Sequence, residues 1–335
     1  MPRDSIRLII GSYEFTECQS MEMVSDLYSP SGSFNFSLGQ RISAASGTRC
    51  SVLINGQMEL TGVIDQVEES QDKSSHTWTV TGRSLVGQIE DFYVTSWMSP
   101  PTTLAAAAKK YLSEIPYVNE LPYSIEGDDP SVSHARLDVG DTAFKLLNEF
   151  AMNRGLLFWA KPDGSIIFGK AKRDGIPAFR ITGSVVEQRR RVENTSKLHS
   201  EIWIVSDSDE GHRTHIAKNA SVTVRKPFAA PYNGHDSNGL EKQAAQYLRQ
   251  EKLSSFQLEY MVNGFSQNGK NWTINELAQV DDDEFGLQDT YLICRRTFRY
   301  TRNTGSTASL ILSPILAEDV FKAYPKKRKK EEEAW

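Results

Sequence analysis

The first third of the chain carries short runs in which apolar and polar residues alternate. Ile6 to Ile10 is a brief apolar stretch, and Gly11-Ser12 supplies a turn after it. Phe34-Asn35-Phe36-Ser37-Leu38 has the two-residue period of a strand with one buried face. Cys50 to Ile54 predicts another strand. Asn55-Gly56 behind it is a strong hairpin signal, because a tight two-residue turn needs residues that accept positive φ. Met58 to Val67 forms the return strand. Polar residues 68–76 predict a second turn, and Thr77 to Thr81 closes that hairpin. Many short antiparallel strands separated by turn residues predict a small barrel or sandwich.

The pattern changes at Pro100-Pro101. Thr102 or Thr103 can cap a helix whose apolar positions are Leu104, Ala107, Ala108, Tyr111, Leu112 and Ile115, and Pro116 stops it. Asp141 is the expected cap of a second helix, running through Phe144, Leu147 and Phe150 to a left-handed stop at Gly155. Leu156 to Ala160 and Ser165 to Gly169 flank the turn Lys161-Pro162-Asp163-Gly164 and predict a hairpin. The last third returns to strand patterns at Ile202 to Val205, Ala220 to Val224, Phe256 to Val262, Tyr291 to Tyr300 and Ala308 to Leu312. A helix is expected over Leu240 to Leu253.

Gly62 to Gly82 and Tyr291 to Ser313 share one plan of strand, polar turn and strand at nearly equal length. Two readings fit: hairpins are common units that look alike, or the chain holds two related β modules. Lys326 to Glu333, after Pro325, is a block of charge that reads as a solvated tail or as a docking segment that orders on a partner; a nuclear-localisation reading is formally open.

Composition narrows the classes. The 335 residues carry 38 Lys+Arg and 43 Asp+Glu, so 38 − 43 leaves −5, and 39% of residues are hydrophobic. That balance excludes collagen-like, disordered and disulfide-scaffold chains, and it disfavours a broad basic face for nucleic acid. No apolar run reaches the roughly 18 residues of a membrane helix, so no membrane insertion is expected. The start does not read as a signal peptide, and Cys18, Cys50 and Cys294, odd in number and far apart, suggest reduced thiols in a chain made in the cytoplasm.

Several stretches approach catalytic or binding motifs. Gly264 to Lys270 fits a phosphate loop until Asn271 replaces the required Ser or Thr, and Trp272-Thr273-Ile274 favours a strand over the helix such a loop must open. The alternative is a Gly/Asn hairpin turn. Gly82-Arg83-Ser84-Leu85-Val86-Gly87 approaches a nucleophile elbow with its second glycine one residue late. Asp207, Asp209, Glu210, His212 and His215 offer metal-ligand types, but Gly211 and the lack of apolar periodicity suggest an exposed loop. Asp281-Asp282-Asp283-Glu284 lacks the closing carboxylate of a calcium loop, since Leu292 stands there, and is expected to be a solvated turn. No cofactor or metal is expected. A cell-wall hydrolase, a nucleotide-binding protein using Gly264 to Lys270 and a monomeric β-rich binding module stay open as other classes.

Two stretches carry a resemblance. Asp141-Thr142-Ala143-Phe144-Lys145-Leu146-Leu147 through Gly155, followed by Leu156-Leu157-Phe158 and Asp163-Gly164-Ser165-Ile166-Ile167-Phe168, resembles the middle of Mu-like phage tail protein P, the baseplate hub family of contractile-tailed phages and related injection systems. Val80-Thr81-Gly82-Arg83-Ser84-Leu85 to Asp91 resembles that family's Gly-Arg segment. The resemblance implies a non-enzymatic hub: a homotrimer of pseudo-sixfold symmetry joining the tail tube, or a tube initiator, to a trimeric central spike among other baseplate proteins. The virion tail baseplate, assembled in the host cytoplasm, is the implied location. Net −5 suits a lumen that DNA passes without sticking, with no sequence-specific nucleic acid binding. The implied fold is β-rich α+β, with two small antiparallel β-barrel domains flanking a mixed α/β domain. The expected boundaries are 1–97, 98–200 and 201–321, with a helix–strand insert at about 238–265 and a charged flexible tail at 322–335. Phe92, Tyr93, Trp97 and Trp203 are candidate interface anchors because large aromatics near domain edges often anchor interfaces; ordinary core packing is the other reading.

Overall fold

The computed structural model describes residues 4–96, 98, 102–131, 140–152, 154–196, 198–208, 211–232 and 239–315. The charged tail and Trp97 therefore lie outside the described residues. The fold is β-rich α+β. Seven strands build the N-terminal unit: β1 (Ile6–Ile10), β2 (Tyr13–Phe15), β3 (Ser20–Asp26), β4 (Ser33–Leu38), β5 (Arg49–Ile54), β6 (Gln57–Gln71) and β7 (His76–Ser84). They pair antiparallel in the order β3-β4-β7-β6-β5-β1-β2. The alternation does the work: Phe34, Phe36 and Leu38 of β4 are buried, as are Leu8 and Ile10 of β1. Asn55 (φ 53°) and Gly56 (φ 76°) make the expected tight turn.

The turn expected at 68–76 is shorter. β6 continues to Gln71, and only residues 72–75 turn, held by Asp72, whose carboxylate accepts from the amides and hydroxyls of Ser74 and Ser75. Residues 68–71 are exposed, so their polarity marks a strand that runs beyond the core rather than a loop.

Residues 85–169 form a helical layer on a small sheet. After α1 (Gln88–Asp91) come α2 (Leu104–Glu114), β8 (Tyr123–Ile125), α3 (Ala143–Met152), β9 (Leu157–Ala160) and β10 (Ile166–Gly169). Thr103 caps α2, accepting from the Ala106 amide at 3.1 Å. At α3 the cap is Thr142, which accepts from Lys145 N at 3.2 Å, and not the expected Asp141, whose carboxylate instead pairs with Lys145 Nζ at 2.6 Å. Gly155 ends the turn at φ 70°. The hairpin β9/β10 forms as expected, with β8 added in parallel. Leu104, Tyr111, Leu147, Phe150 and Phe168 share one apolar core here.

The remaining strands are β11 (Phe179–Thr182), β12 (Val186–Glu193), β13 (Glu201–Ser208), β14 (Gly211–Lys218), β15 (Pro227–Pro231), β16 (Phe256–Asn263), β17 (Ser266–Gln267), β18 (Lys270–Asn271), β19 (Leu277–Asp282), β20 (Leu287–Thr301) and β21 (Gly305–Pro314), with α4 at Gly239–Ser254. β14-β13-β15 is a separate small sheet whose core packs on α4 through Ile202, Ile204, Leu240 and Ala244. The strand expected at Ala220 to Val224 is irregular chain: Asn219 captures the amide and hydroxyl of Ser221 and turns it. The segment around His215, expected to be a loop, is the strand β14.

The other strands repeat the N-terminal order. β12-β16-β21-β20-β19-β11 is matched rank for rank by β3-β4-β7-β6-β5-β1. Both runs are antiparallel except at the last step, where β11 is parallel to β19 while β1 is antiparallel to β5. Each long hairpin also carries one bulge at the same place, between Ile64 and Gln66 in β6 and between Ile293 and Arg295 in β20. β20 then pairs with β3, which fuses the two units into one 13-stranded sheet with a shared core that includes Leu8, Phe36, Tyr260 and Phe298. The strand path is open, and no closed barrel appears among the described residues.

Candidate assembly interface

The seam between the two units is built on β20, whose apolar run from Tyr291 to Phe298 is interrupted by Arg295 and Arg296. Arg295 faces outward; Arg296 faces inward and is 2% exposed. Its guanidinium donates to Glu59 Oε2 at 2.6 Å, to the Trp272 carbonyl at 2.5 Å and to Ser25 Oγ at 3.0 Å, and lies 4.3 Å from the centre of the Phe298 ring. The other oxygen of Glu59 accepts from Asn271 Nδ2 at 2.6 Å, and that amide also donates to the Ile54 carbonyl. Asn55 of the tight turn donates to Asn271 Oδ1 at 3.1 Å. This buried network ties β3, β5 and β6 of one unit to β18 and β20 of the other. Both terminal nitrogens of Arg296 and both oxygens of Glu59 find partners in it, as burial of charge requires, while Arg296 Nε has none. On the outer face Arg299 pairs with Glu22 at 2.7 Å, an exposed bridge that adds register more than stability. A cavity beside the network, lined by Ser25, Glu59, Lys161 and Arg296, measures about 50 Å³, room for little more than water.

Gly82-Arg83 closes the first unit for a physical reason. A Cβ at Gly82 would lie 2.3 Å from the Val63 carbonyl oxygen and 2.5 Å from the Phe34 ring, so only glycine lets β6 and β7 approach beside the bulge. Arg83 bridges Asp65 (2.9 Å) and Asp91 (2.6 Å), tying the bulge to α1; the hydrogen bonds it donates to these two carboxylates hold its guanidinium above its ordinary range.

The sequence-named aromatics sit on different elements. Tyr93 is 60% exposed and bridges to Thr142, so its ring is open to a partner. Phe92 is half-buried against the helical core, and its carbonyl accepts from Ala143 N. Trp203 is half-buried on β13, its indole donating to Glu201 at 2.9 Å.

The motif-like stretches have other local structures. Gly264 to Lys270 contains the hairpin turn of β17/β18, with Asn268 (φ 52°) and Gly269 (φ 78°) at the bend, and Lys270 pairs with Glu276 at 2.9 Å. It opens no helix, as the hairpin reading expected. Ser84 Oγ accepts from the Gly32 amide at 3.2 Å at the end of β7. The acidic run is not fully solvated: Asp282 is 3% exposed and accepts from Tyr260 Oη at 2.8 Å and from the amides of Glu284 and Phe285. Burial pushes the Cys50 and Cys294 thiols up to about 12, which leaves them protonated at neutral pH. Among the described residues no three His, Cys, Asp or Glu side chains group as metal ligands, and no helix is long and apolar enough to cross a membrane. Asp209 and Glu210 lie outside the described residues, and so does the His212 side chain.

Residues 5–84 match the family model of the Mu phage baseplate assembly protein GpP-like N-terminal domain, and residues 250–319 match that of a tail protein C-terminal domain. Each of these two segments belongs to a domain family of Mu-like phage tail proteins. The tail protein from Neisseria meningitidis MC58 shares 25% identity and superimposes with a TM-score of 0.86, over 96% of this chain and 100% of that one. The 43 kDa tail protein of prophage MuSo2 from Shewanella oneidensis shares the fold at 21% identity and a TM-score of 0.80, over 94% and 99% of the two chains. So does a type VI secretion component from E. coli that resembles T4 bacteriophage tail proteins, at 11% identity and 0.62, over 96% and 79%. Among curated proteins, no sequence matches this tail protein.

Proposed function

We propose that this tail protein is the structural hub of a contractile-tail baseplate, a homotrimer that joins the tail tube to the trimeric central spike. The single observation that carries the reading is the repeated strand order, β3-β4-β7-β6-β5-β1 and β12-β16-β21-β20-β19-β11, within one chain. Two like units in each of three chains present six similar faces, so a threefold assembly can meet a sixfold tube on one side and a threefold spike on the other. The units fall in domains 1–97 and 201–321, the second drawing in β11 and β12 and leaving out the small sheet β13–β15 with α4, and each is curled into a small barrel in the ring; the rest of 98–200 braces the outside. Tyr93, Phe92, Trp97 and Trp203 serve as anchors toward neighbours. The role is binding rather than catalysis, with no cofactor, in the virion tail. The two segments that belong to tail-protein domain families support it. Light scattering on the purified full chain tests it: three chain masses are expected, and a strict monomer at high concentration refutes it.

A further inference from the structure

Internal repetition leaves one unsatisfied strand edge in each unit of the fused sheet. β20 uses its first half, Leu287 to Leu292, to pair with β19, and its second half, Arg295 to Thr301, to pair with β3 of the other unit. Its counterpart β6 uses its first half to pair with β5, but beyond the bulge Gln66 to Gln71 pairs only with β7. The counterpart of β3 is β12, which pairs only with β16. Thus the relation that joins the C-terminal unit to the N-terminal unit inside the chain leaves one edge of the outer half of β6 and one edge of β12 without a strand partner among the described residues. An unpaired edge is a template for another strand.

We infer that the outer half of β6 pairs antiparallel with β12 of a second copy of this chain, repeating between chains the β20–β3 seam found within one. The inference rests on the hub reading and adds its register. Ser70 lies five residues past the bulged Asp65, as Arg299 lies five past the bulged Cys294, so Ser70 takes the place of Arg299. Arg190 takes the place of Glu22. Glu22 faces Asn35, which faces Thr81, which faces Gln66; Arg190 faces Glu259, which faces Ile311, which faces Arg295. Gln66 and Arg295 are both the first residue after their bulge. Since Arg299 faces Glu22 in the chain, Ser70 faces Arg190 of the second copy.

Charge supports the pairing. The outer half of β6 carries Glu68 and Glu69, while β12 carries Arg189, Arg190 and Arg191 between two glutamates. Glu68 is the same-face diagonal neighbour of Arg190 in this register. Within the chain the polarity is reversed, with arginines on β20 and acids on β3, so each seam is complementary and the two are not interchangeable. Head-to-tail contacts of this kind close into a ring when the rotation allows.

Disulfide trapping of the full chain tests the register. Opposed antiparallel residues stand about 4.5–5.5 Å apart at Cα, within the reach of a disulfide. Ser70 is exposed and the Arg190 side chain is 72% exposed, so neither change disturbs a core. The S70C/R190C variant should give covalent species of two and three chains under mild oxidation. S70C alone, R190C alone and the out-of-register S70C/E193C should stay at one chain mass, and E22C/R299C should form its link inside one chain. If S70C/R190C does not link while light scattering shows a trimer, the seam is wrong and the hub reading stands. If the unsubstituted chain is monomeric and no link forms, both fall.

Discussion

Replacing Arg296 with Met removes the cation at the centre of the seam between the two units and nearly preserves its volume. Glu59, 6% exposed, then keeps Asn271 Nδ2 at 2.6 Å as a neutral donor but loses its counter-charge, and the Trp272 carbonyl loses its donor. Breaking a buried pair by removing one partner costs about 3–5 kcal/mol, because the remaining charge stays in low dielectric. Removing both charges with E59L/R296M leaves no orphan ion, and such replacements are commonly neutral to stabilising by about 1–4 kcal/mol. Asn271 then lacks one acceptor, which returns about 1–3 kcal/mol of that cost. The expected order of stability is wild type close to E59L/R296M, with R296M and E59L each well below. Urea unfolding followed by circular dichroism, arranged as a double-mutant cycle, reads the coupling directly. A single-variant loss under about 1 kcal/mol, or strictly additive losses, refutes the claim that this network joins the units.

Gly82→Ala should destabilise by about 1–3 kcal/mol or more, since its Cβ meets the Val63 carbonyl at 2.3 Å and overpacking a sheet forces the backbone apart; thermal unfolding measures it. In a C18S background, Cys50 and Cys294 should resist a thiol reagent at pH 8 until urea is added, because a thiol held near 12 is only about one part in ten thousand thiolate there. Thr103→Ala should cost about 1 kcal/mol and no more, because Asp129 still accepts from the Leu104 and Ala105 amides at 2.8 Å, and urea titration reads the difference. The Asp72 carboxyl, held down to about 2 by the amide and hydroxyl of Ser74 and those of Ser75, should stay ionised in an NMR titration well below the usual aspartate range. Its contribution to stability is present above the unfolded value of 3.8 and is lost as pH falls through about 2.

Local rules made the hairpins and helices legible. Asn55-Gly56, Gly155 and the apolar face of Leu104 to Leu112 act through backbone geometry and periodicity, which neighbouring residues specify. The misses have one cause each. Residues 68–71 are solvated on a strand past the core, so no alternation marks them. Val222 and Val224 look strand-like, but the Asn219 side chain turns the chain before a ladder can form. Asp282 reads as part of a solvated turn because its partner Tyr260 lies outside that run, and nothing local singles out Arg296, whose partner Glu59 is distant in sequence. The inward placing of Arg296 in the run Tyr291 to Phe298 was a signal that it needed a buried counter-charge. The similarity of two hairpins hinted at duplication, yet the shared strand order rests on long-range pairing that periodicity does not encode.

One chain holds two β units of like strand order, and on the proposed hub reading three such chains make a sixfold face. Electron-microscopy class averages of the purified assembly, viewed along its axis and paired with its mass, test this most directly. Three chain masses with an inner ring of six similar lobes are expected. A dimer, a tetramer, or a three-chain particle whose inner ring shows only three lobes contradicts it.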